Sequence, residues 1–244
     1  MTLDRRQDST KFRIISNSTD VSSSIRNLEI ASRFQGAIVP FVGLHPEILA
    51  LGGESLTEAG LEAGVERLGE LLSKAQGFGE IGLDPKYGRE RMQKMLFASQ
   101  LELAESHPDL PVCIHSRNST QKIIEILSTY HLQNEILFHW FTGSASELQK
   151  LQSQGCYVSF GPALIFSKRL QRLATEADQS SILPETDSPL VLQSLIGASF
   201  ISPFAVTSVI FKFSELLHKQ FSDTMLLMEE NTNRYLRAQN SLRV

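Results

Sequence analysis

Short apolar runs in this sequence end, one after another, in imidazole or carboxylate side chains. The runs are VGLH, GEIGLD, PVCIH, EILFH and LPETD, and the polar residues they carry are His45, Glu80, Asp84, His115, His139 and Asp187. Two imidazoles with one or two carboxylates are a common ligand set for a catalytic divalent ion. One such residue alone is more often a cap or turn residue, but a series at the ends of successive runs is hard to explain by chance. We therefore predict a metal site formed by Glu80, His115, His139 and Asp187.

The segments that must position these residues alternate between two kinds. Short β-rich runs lie at 12–16, 37–45, 77–84, 110–115, 135–140, 156–161 and 181–187. Segments with helical periodicity lie at 89–106, 119–130, 144–155, 203–221 and around 223–238. Strands that alternate with helices in this way are typical of βαβ units and a parallel sheet.

The architecture predicted from this alternation is an α/β fold of the TIM-type (β/α) barrel. The carboxyl ends of its strands converge on one face, so residues far apart in sequence meet there. With 244 residues and no linker or shift in composition, the chain is predicted to be a single domain spanning residues 1–244. It offers only seven strand candidates, whereas a closed barrel of this type has eight.

The composition excludes several classes of protein. The net charge is −4, so contact with nucleic acid would depend on a local site and not on a basic face. Cys113 and Cys156 lie inside apolar runs and are predicted to be buried free thiols. The start has no apolar leader and no stretch is long enough to span a membrane, so we expect a cytoplasmic protein with no membrane partner. Glycine-rich phosphate loops and nucleophile elbows are absent from the sequence.

Some polar residues near these runs allow two interpretations. Asp84 is either a second contact to the site or a cap before Pro85, and Ser116 and Arg117 face either a substrate phosphate or a surface ion pair. Glu185 would share a strand face with Asp187 or be buried against a basic neighbour. The remaining histidines are predicted to lie in loops or on helix surfaces without a role in the site, and these are His107, His131 and His218.

Several segments, taken in order, resemble the TatD family of metal-dependent hydrolases. The matching segments are VGLHPE at 42–47, GEIGLD at 79–84, LPVCIHSR at 110–117, FHWFTGS at 138–144, GCYVSFG at 155–161 and ETDSPL at 185–190. The helix that contains Gln93, Phe97, Gln100 and Leu101 matches as well, and so does ENTNRYL at 230–236. The resemblance runs from about residue 11 to the end, and the ordered set is far more specific than any one segment.

This resemblance implies a (β/α)8-like barrel with divalent-metal-dependent deoxyribonuclease activity. In the family's pattern Glu80 bridges the metals, His115 and His139 complete one metal site, and Asp187 serves the other and handles a proton. Glu80 and Asp187 are therefore the expected catalytic residues. We assign His45 and Arg117 to substrate binding.

Two departures from the family's pattern bear on these expectations. Nothing upstream of FRIIS resembles the family's usual first strand with its His-x-His pair, so the barrel is predicted to lack its first strand and helix. SFISPF at 199–204 keeps Pro203 but loses the polar residues of the usual Arg-Asn-Glu-Pro segment. A missing strand leaves two unpaired edges, which residues 1–11 or a homo-oligomer are expected to cover.

Three functions remain open from sequence. The first is a TatD-like deoxyribonuclease that cleaves DNA phosphodiester bonds with a metal-activated water. The second is a hydrolase of the same fold that acts on another phosphodiester, or on an ester or amide such as aminoacyl-tRNA. The third is a degenerate, non-catalytic paralogue. The expected cofactor is one or two divalent ions per chain, Zn²⁺, Mg²⁺ or Mn²⁺.

Overall fold

The computed structural model of the protein describes residues 12–34, 36–52, 56–189 and 201–237, and seven strands within them pair in chain order. Each strand is parallel to the next. They are β1 Ile14–Ser16, β2 Ile38–Val42, β3 Gly77–Gly82, β4 Val112–His115, β5 Ile136–Phe138, β6 Tyr157–Phe160 and β7 Ile182–Pro184. The predicted TIM-type architecture is thus confirmed with seven strands. Within the described residues no ladder joins β7 to β1.

Helices follow the strands and cover the outside of the sheet. They are α1 Val21–Arg33, α2 Ile48–Leu51, α3 Glu58–Leu72, α4 Glu90–Glu105, α5 Thr120–Leu127, α6 Ala145–Ser153, α7 Ala163–Phe166, α8 Lys168–Glu176, α9 Val206–Leu216 and α10 Phe221–Tyr235. The predicted helical segments correspond to α4, α5, α6, α9 and α10. None of the described helices combines the length and the apolar character needed to cross a membrane.

The helix α1, which was not among the predicted segments, buries polar side chains against the sheet. It starts with a capping box, in which Asp20 accepts from the backbone of Ser23 and the Ser23 side chain accepts from the Asp20 backbone. Its buried positions are polar, Ser24 and Asn27. The Asn27 amide donates to the Phe41 carbonyl of β2 at 3.1 Å and to the Ser16 carbonyl of β1 at 2.5 Å. Val21, Ile25 and Leu28 of the same helix pack against the larger apolar core, so apolar contacts and hydrogen bonds together hold this helix on the sheet.

The apolar core has two parts, separated by the sheet. The larger part lies between the strands and the surrounding helices and contains Phe78, Phe97 and Phe138. The smaller part fills the inside of the curved sheet, with side chains from β2, β4, β5, β6 and β7. Alternate residues of one strand enter the two parts, as Phe41 and Val42 of β2 do. A side chain from outside the sheet, Tyr235, completes the inner part.

The end of α10 closes the amino-terminal end of the strands. Asn231 donates to the carbonyls of Gln179 and Ile182, at 2.7 and 2.8 Å, at the beginning of β7. Arg13, which precedes β1, donates to the Asn233 side chain. Arg237 donates to the carbonyls of residues 108 and 133, which precede β4 and β5. The carboxy-terminal helix thus connects both edge strands to the centre of the sheet.

Residues 1–11, which were predicted to cover the unpaired strand edges, lie outside the described residues. The homo-oligomer stays a prediction. Residues 199 and 200 of the altered SFISPF segment also lie outside them, whereas Pro203 begins a short 3₁₀ turn, Pro203–Ala205, ahead of α9. Among the described residues, the end of α10 links the residue before β1 to the beginning of β7.

Tyr235 gives a direct test of this closure. Its ring is fully buried between Phe41 and Tyr157, and its hydroxyl has no hydrogen-bond partner among the described residues. We expect Tyr235→Ala to lower the free energy of unfolding by about 3–5 kcal/mol through the cavity it leaves. Tyr235→Phe removes an unpaired buried hydroxyl, so it should be neutral or stabilising. Urea unfolding of both variants measures this, and a marked loss of stability in Tyr235→Phe would show that the hydroxyl is bonded.

Candidate metal centre

Three of the four residues predicted to bind metal come together at the carboxyl ends of neighbouring strands. Glu80 lies in β3, His115 ends β4, and His139 follows β5 directly. The Glu80 Oε1 atom lies 2.8 Å from His115 Nδ1 and is in direct contact with His139 Nε2. Glu80 and His139 are buried, and His115 is nearly so. A single carboxylate oxygen therefore faces two imidazole nitrogens.

The second nitrogen of each imidazole also faces a carboxylate. His115 Nε2 lies 3.1 Å from Asp84 Oδ2, and His139 Nδ1 lies 3.4 Å from Glu185 Oε2. A carboxylate behind the imidazole is typical of histidines that bind metal, because it fixes the tautomer and the orientation of the ring. Glu185, for which the sequence left two interpretations, thus contacts His139.

Asp84 has both of the roles that the sequence left open, a cap before Pro85 and a contact to the site. Its Oδ1 atom accepts from the backbone N–H of Lys86 at 2.9 Å and caps the turn Pro85–Tyr87, whereas Oδ2 faces His115. Arg117 lies at the outer side of the same carboxylate, with Nη1 3.9 Å from Oδ2, and 53% of its side chain is exposed. Arg117 is thus partly paired and still accessible at the mouth.

The charges within this cluster support one another. Burial would raise the pKa of Glu80, but the His139 charge and the hydrogen bonds from both imidazoles outweigh it and hold the pKa well below its usual range. Burial would likewise lower the pKa of His139, but Glu80 and Glu185 outweigh it and raise the pKa well above its usual range. Glu80 is therefore an anion, and it stabilises the positive charge on His139.

His45 has a different electrostatic character. It lies three residues after β2, and burial lowers its pKa to about 4, so it is neutral at physiological pH. Its Nδ1 atom accepts from the backbone N–H of Glu47 at 3.1 Å. A neutral imidazole with Nδ1 as acceptor carries its proton on Nε2, and this atom lies 3.6 Å from Glu80 Oε1.

Distance alone therefore gives an incomplete picture of the ligand set. One atom that could bind a metal, from each of His45, Glu80 and His115, lies within 4.8 Å of the other two. The hydrogen bond at Nδ1 nevertheless makes His45 a hydrogen-bond donor toward the site. His139 faces Glu80 with Nε2 and Glu185 with Nδ1, so Nε2 is the nitrogen that would bind an ion once its proton is displaced.

Asp187 lies further from the cluster than the other predicted ligands. It follows β7, has a left-handed backbone with φ of 50°, and is exposed as a residue. No hydrogen bond from Asp187 to the imidazoles is formed in the described part of the chain. The protein around its carboxyl still excludes water and raises the pKa to about 6; the His139 charge opposes this shift, and Glu185 and Glu80 reinforce it.

Two buried glutamines of α4 hold the loops that carry the site. Gln100 exchanges hydrogen bonds with the backbone of Leu44, at 2.8 and 3.0 Å, directly before His45. Gln93 does the same with the backbone of Asp84, at 2.9 and 2.8 Å. The sequence analysis did not predict this role, although the sequence carries a signal for it. Both are polar residues seven positions apart on the core-facing stripe of a helix.

Gly82 permits the close approach of β3 and β4 that brings Glu80 to His115. Its φ is +147°, and a Cβ atom there would lie 1.9 Å from the His115 carbonyl oxygen. A side chain at this position would force the two strands apart. The backbone at Gly82 thus sets the spacing between Glu80 and His115.

Comparison with known proteins gives the family. The family description TatD related DNase matches residues 2–237. The chain belongs to this family. The predicted resemblance to TatD proteins is thereby confirmed across almost the whole sequence.

Individual relatives agree with this assignment. The human protein named deoxyribonuclease TATDN3 is 28% identical over 171 residues, which cover 66% of this chain and 61% of that protein. The Escherichia coli protein named uncharacterized metal-dependent hydrolase YjjV is 29% identical over 184 residues, covering 72% of this chain and 68% of that protein. The chain spans 58% of the mouse relative's length, so it matches only part of the mammalian proteins.

Solved structures show the same fold. The crystal structure of YjjV, a TatD homologue from Escherichia coli, has a TM-score of 0.79 and 25% identity, and covers 91% of this chain and 85% of that one. A TatD family hydrolase from Entamoeba histolytica has the same TM-score at 17% identity, over 91% of this chain and 84% of that one. The similarity to the Entamoeba histolytica protein, at 17% identity, supports only the assignment of the fold.

The prediction of two buried free thiols is confirmed and leads to a reactivity test. Burial raises the pKa of both Cys113 and Cys156 to about 12, so the reactive thiolate is nearly absent at pH 8. We expect neither thiol to react with a disulfide reagent in the native protein, and both to react in urea. Cys113→Ser and Cys156→Ser identify which thiol has reacted, and rapid labelling of the native chain would contradict the burial of that thiol.

Proposed function

We propose that this protein is a metal-dependent hydrolase that cleaves DNA phosphodiester bonds, with Glu80, His115 and His139 as the ligands of one divalent ion. One observation carries the proposal. Both imidazoles present a nitrogen to the same Glu80 oxygen, and both have a carboxylate behind the other nitrogen. This is the arrangement expected of a ligand set that is held ready for a cation.

The donor set fits a divalent ion better than a structural ion pair. A buried ion pair is complete with one partner, whereas here one carboxylate attracts two imidazoles and draws positive charge to His139. Two nitrogens and an oxygen suit Zn²⁺, and Mn²⁺ accepts the same ligands. Asp187, at the edge of the cluster, is the residue in this proposal that would serve a second ion.

A divalent ion held there supplies Lewis-acid activation of water and stabilises charge on the phosphoryl oxygens. The protein's own groups do the remaining work. His45 donates from Nε2 toward a phosphate oxygen, because Glu47 occupies its other nitrogen. Arg117, half exposed at the mouth, can hold a phosphate with two parallel hydrogen bonds. Asp187, with a pKa of about 6, is a carboxylate at neutral pH and can take the proton of the attacking water.

DNA is proposed as the substrate on the support of the family and of relatives named as deoxyribonucleases. Other phosphodiesters, and esters or amides such as aminoacyl-tRNA, use the same groups, and a non-catalytic paralogue would bind without turnover. With a net charge of −4, the chain depends on the positive groups of the site itself to attract a polyanion. A substrate panel at constant metal concentration separates these functions.

The first test is metal-dependent cleavage. We expect the purified protein to release nucleotides from DNA with Zn²⁺, Mg²⁺ or Mn²⁺ and to lose this activity with chelator. His115→Ala should lower the rate at least 100-fold, because the ion loses a ligand, while the control His131→Ala on an exposed loop keeps it. A metal-loaded protein that cleaves no DNA but hydrolyses another member of the panel would move the proposal to that substrate.

The second test separates His45 from the metal ligands. We expect His45→Ala to retain its metal content, since its role is to donate from Nε2, whereas His139→Ala should lose the metal. Glu185→Gln should weaken metal affinity by roughly 10- to 100-fold, because His139 loses the carboxylate that orients it. Elemental analysis and metal titration measure these effects without any substrate. Loss of metal from His45→Ala with retention in His139→Ala would exchange the two roles.

A further inference from the structure

A groove on the outer surface carries two cationic side chains and no carboxylate. It lies between α8 and the end of α9 and has a volume of about 500 Å³. The residues that line this α8 groove are Lys168, Gln171, Arg172, Thr175 and Leu216. A lining with positive and without negative side chains favours an anionic ligand.

The two cations of the α8 groove are placed where they repel each other. Lys168 and Arg172 are four residues apart on α8, so their side chains lie on one face of the helix, and like charges at this spacing lower helix stability. Lys168, the first residue of the helix, also lies at the positive end of the helix dipole. Both side chains are exposed, and the ion pairs formed within the described ranges include neither of them. A bound anion would relieve this repulsion.

The other polar side chains of the α8 groove already have partners. The Gln171 amide donates to two carbonyls of α7, at 3.0 and 3.1 Å. The Thr175 hydroxyl donates to the Arg172 carbonyl at 2.8 Å. Lys168 and Arg172 are therefore the groups of the groove that remain available to an anion.

The α8 groove begins at the same end of the sheet as the metal centre. The helices α7 and α8 follow the carboxyl end of β6. Arg169, the second residue of α8, donates to the carbonyls of Thr142 and Gly143, both at 2.8 Å. These carbonyls belong to the loop that follows His139. A polymer with one phosphate at the metal centre can therefore continue over this loop onto α8.

We propose that the α8 groove binds the phosphate backbone of DNA beyond the phosphate at the metal centre. The inference rests on the proposed function and adds a second region where the substrate is held. Because the net charge of the chain is −4, attraction of a polyanion requires local clusters of cations. Contacts of lysine and arginine with phosphates do not read the bases, so the groove should add affinity without a preference for sequence.

The salt dependence of binding measures these contacts without cleavage. The full-length protein, at a constant Mg²⁺ concentration, is titrated with a labelled, hydrolysis-resistant phosphorothioate DNA duplex at increasing KCl concentrations, and anisotropy reports binding. The logarithm of the binding constant falls with the logarithm of the salt concentration, with a slope of about 0.9 for each phosphate that is neutralised. We expect the double variant Lys168→Gln/Arg172→Gln to bind more weakly at low salt, with a slope shallower by about 1 to 2.

The matched control is the double variant Arg33→Gln/Lys74→Gln. It also removes one arginine and one lysine, both exposed, from positions shortly before β2 and β3 begin. The net charge therefore changes equally, and the slope of the unchanged protein should be kept. The groove variant should unfold at the same urea concentration as the unchanged protein or at a higher one, because it loses a repulsion. Weaker binding would then not reflect a loss of folding.

The outcomes separate this inference from the proposed function. An unchanged slope in the groove variant would overturn the inference, even if the protein cleaves DNA. An equal decrease of the slope in the control would also overturn it, because net charge alone would then explain the effect. Polyglutamate that binds as tightly as DNA, and only with the groove intact, would assign the groove to an acidic protein and overturn the assignment to DNA. A shallower slope in the groove variant alone would support the inference, even if hydrolysis of DNA is not detected and the proposed reaction fails.

Discussion

The site depends on one interaction, the contact of the buried Glu80 carboxylate with two imidazoles. A carboxylate removed from water is costly unless it is paired and hydrogen-bonded. Here the partners come from β4 and β5, and each partner is itself held by a further carboxylate, Asp84 or Glu185. The sheet must therefore bring three strand ends to a fixed spacing, and Gly82 and the two glutamines of α4 serve that spacing.

The convergence of Glu80, His115 and His139 could be predicted because parallel strands bring their carboxyl ends to one face. Seven apolar runs predicted seven strands for the same reason: a strand buried on both faces shows itself as a continuous apolar run. The helix α1 was not among the predicted segments: its most buried positions are the polar residues Ser24 and Asn27, and the apolar residues that pack beside them, Val21, Ile25 and Leu28, are only partly buried.

The finer arrangement of the carboxylates could not be predicted from spacing. Glu185 and Asp187 are two residues apart and would share one face of an extended strand, yet the left-handed backbone at Asp187 ends that alternation. As a result Glu185 meets His139, and Asp187 stands at the edge of the cluster. The tautomer of His45 depends on one backbone N–H, that of Glu47, which has no signature in the sequence.

The position of Tyr235 has a consequence for the order of folding. The strands β1 to β7 end at residue 184, but the aromatic ring that fills the space inside them is contributed some fifty positions later. A ribosome that has released all seven strands has therefore still to deliver the last piece of their interior. Until α10 is synthesised, Phe41 and Tyr157 lack the ring that packs between them in the folded protein.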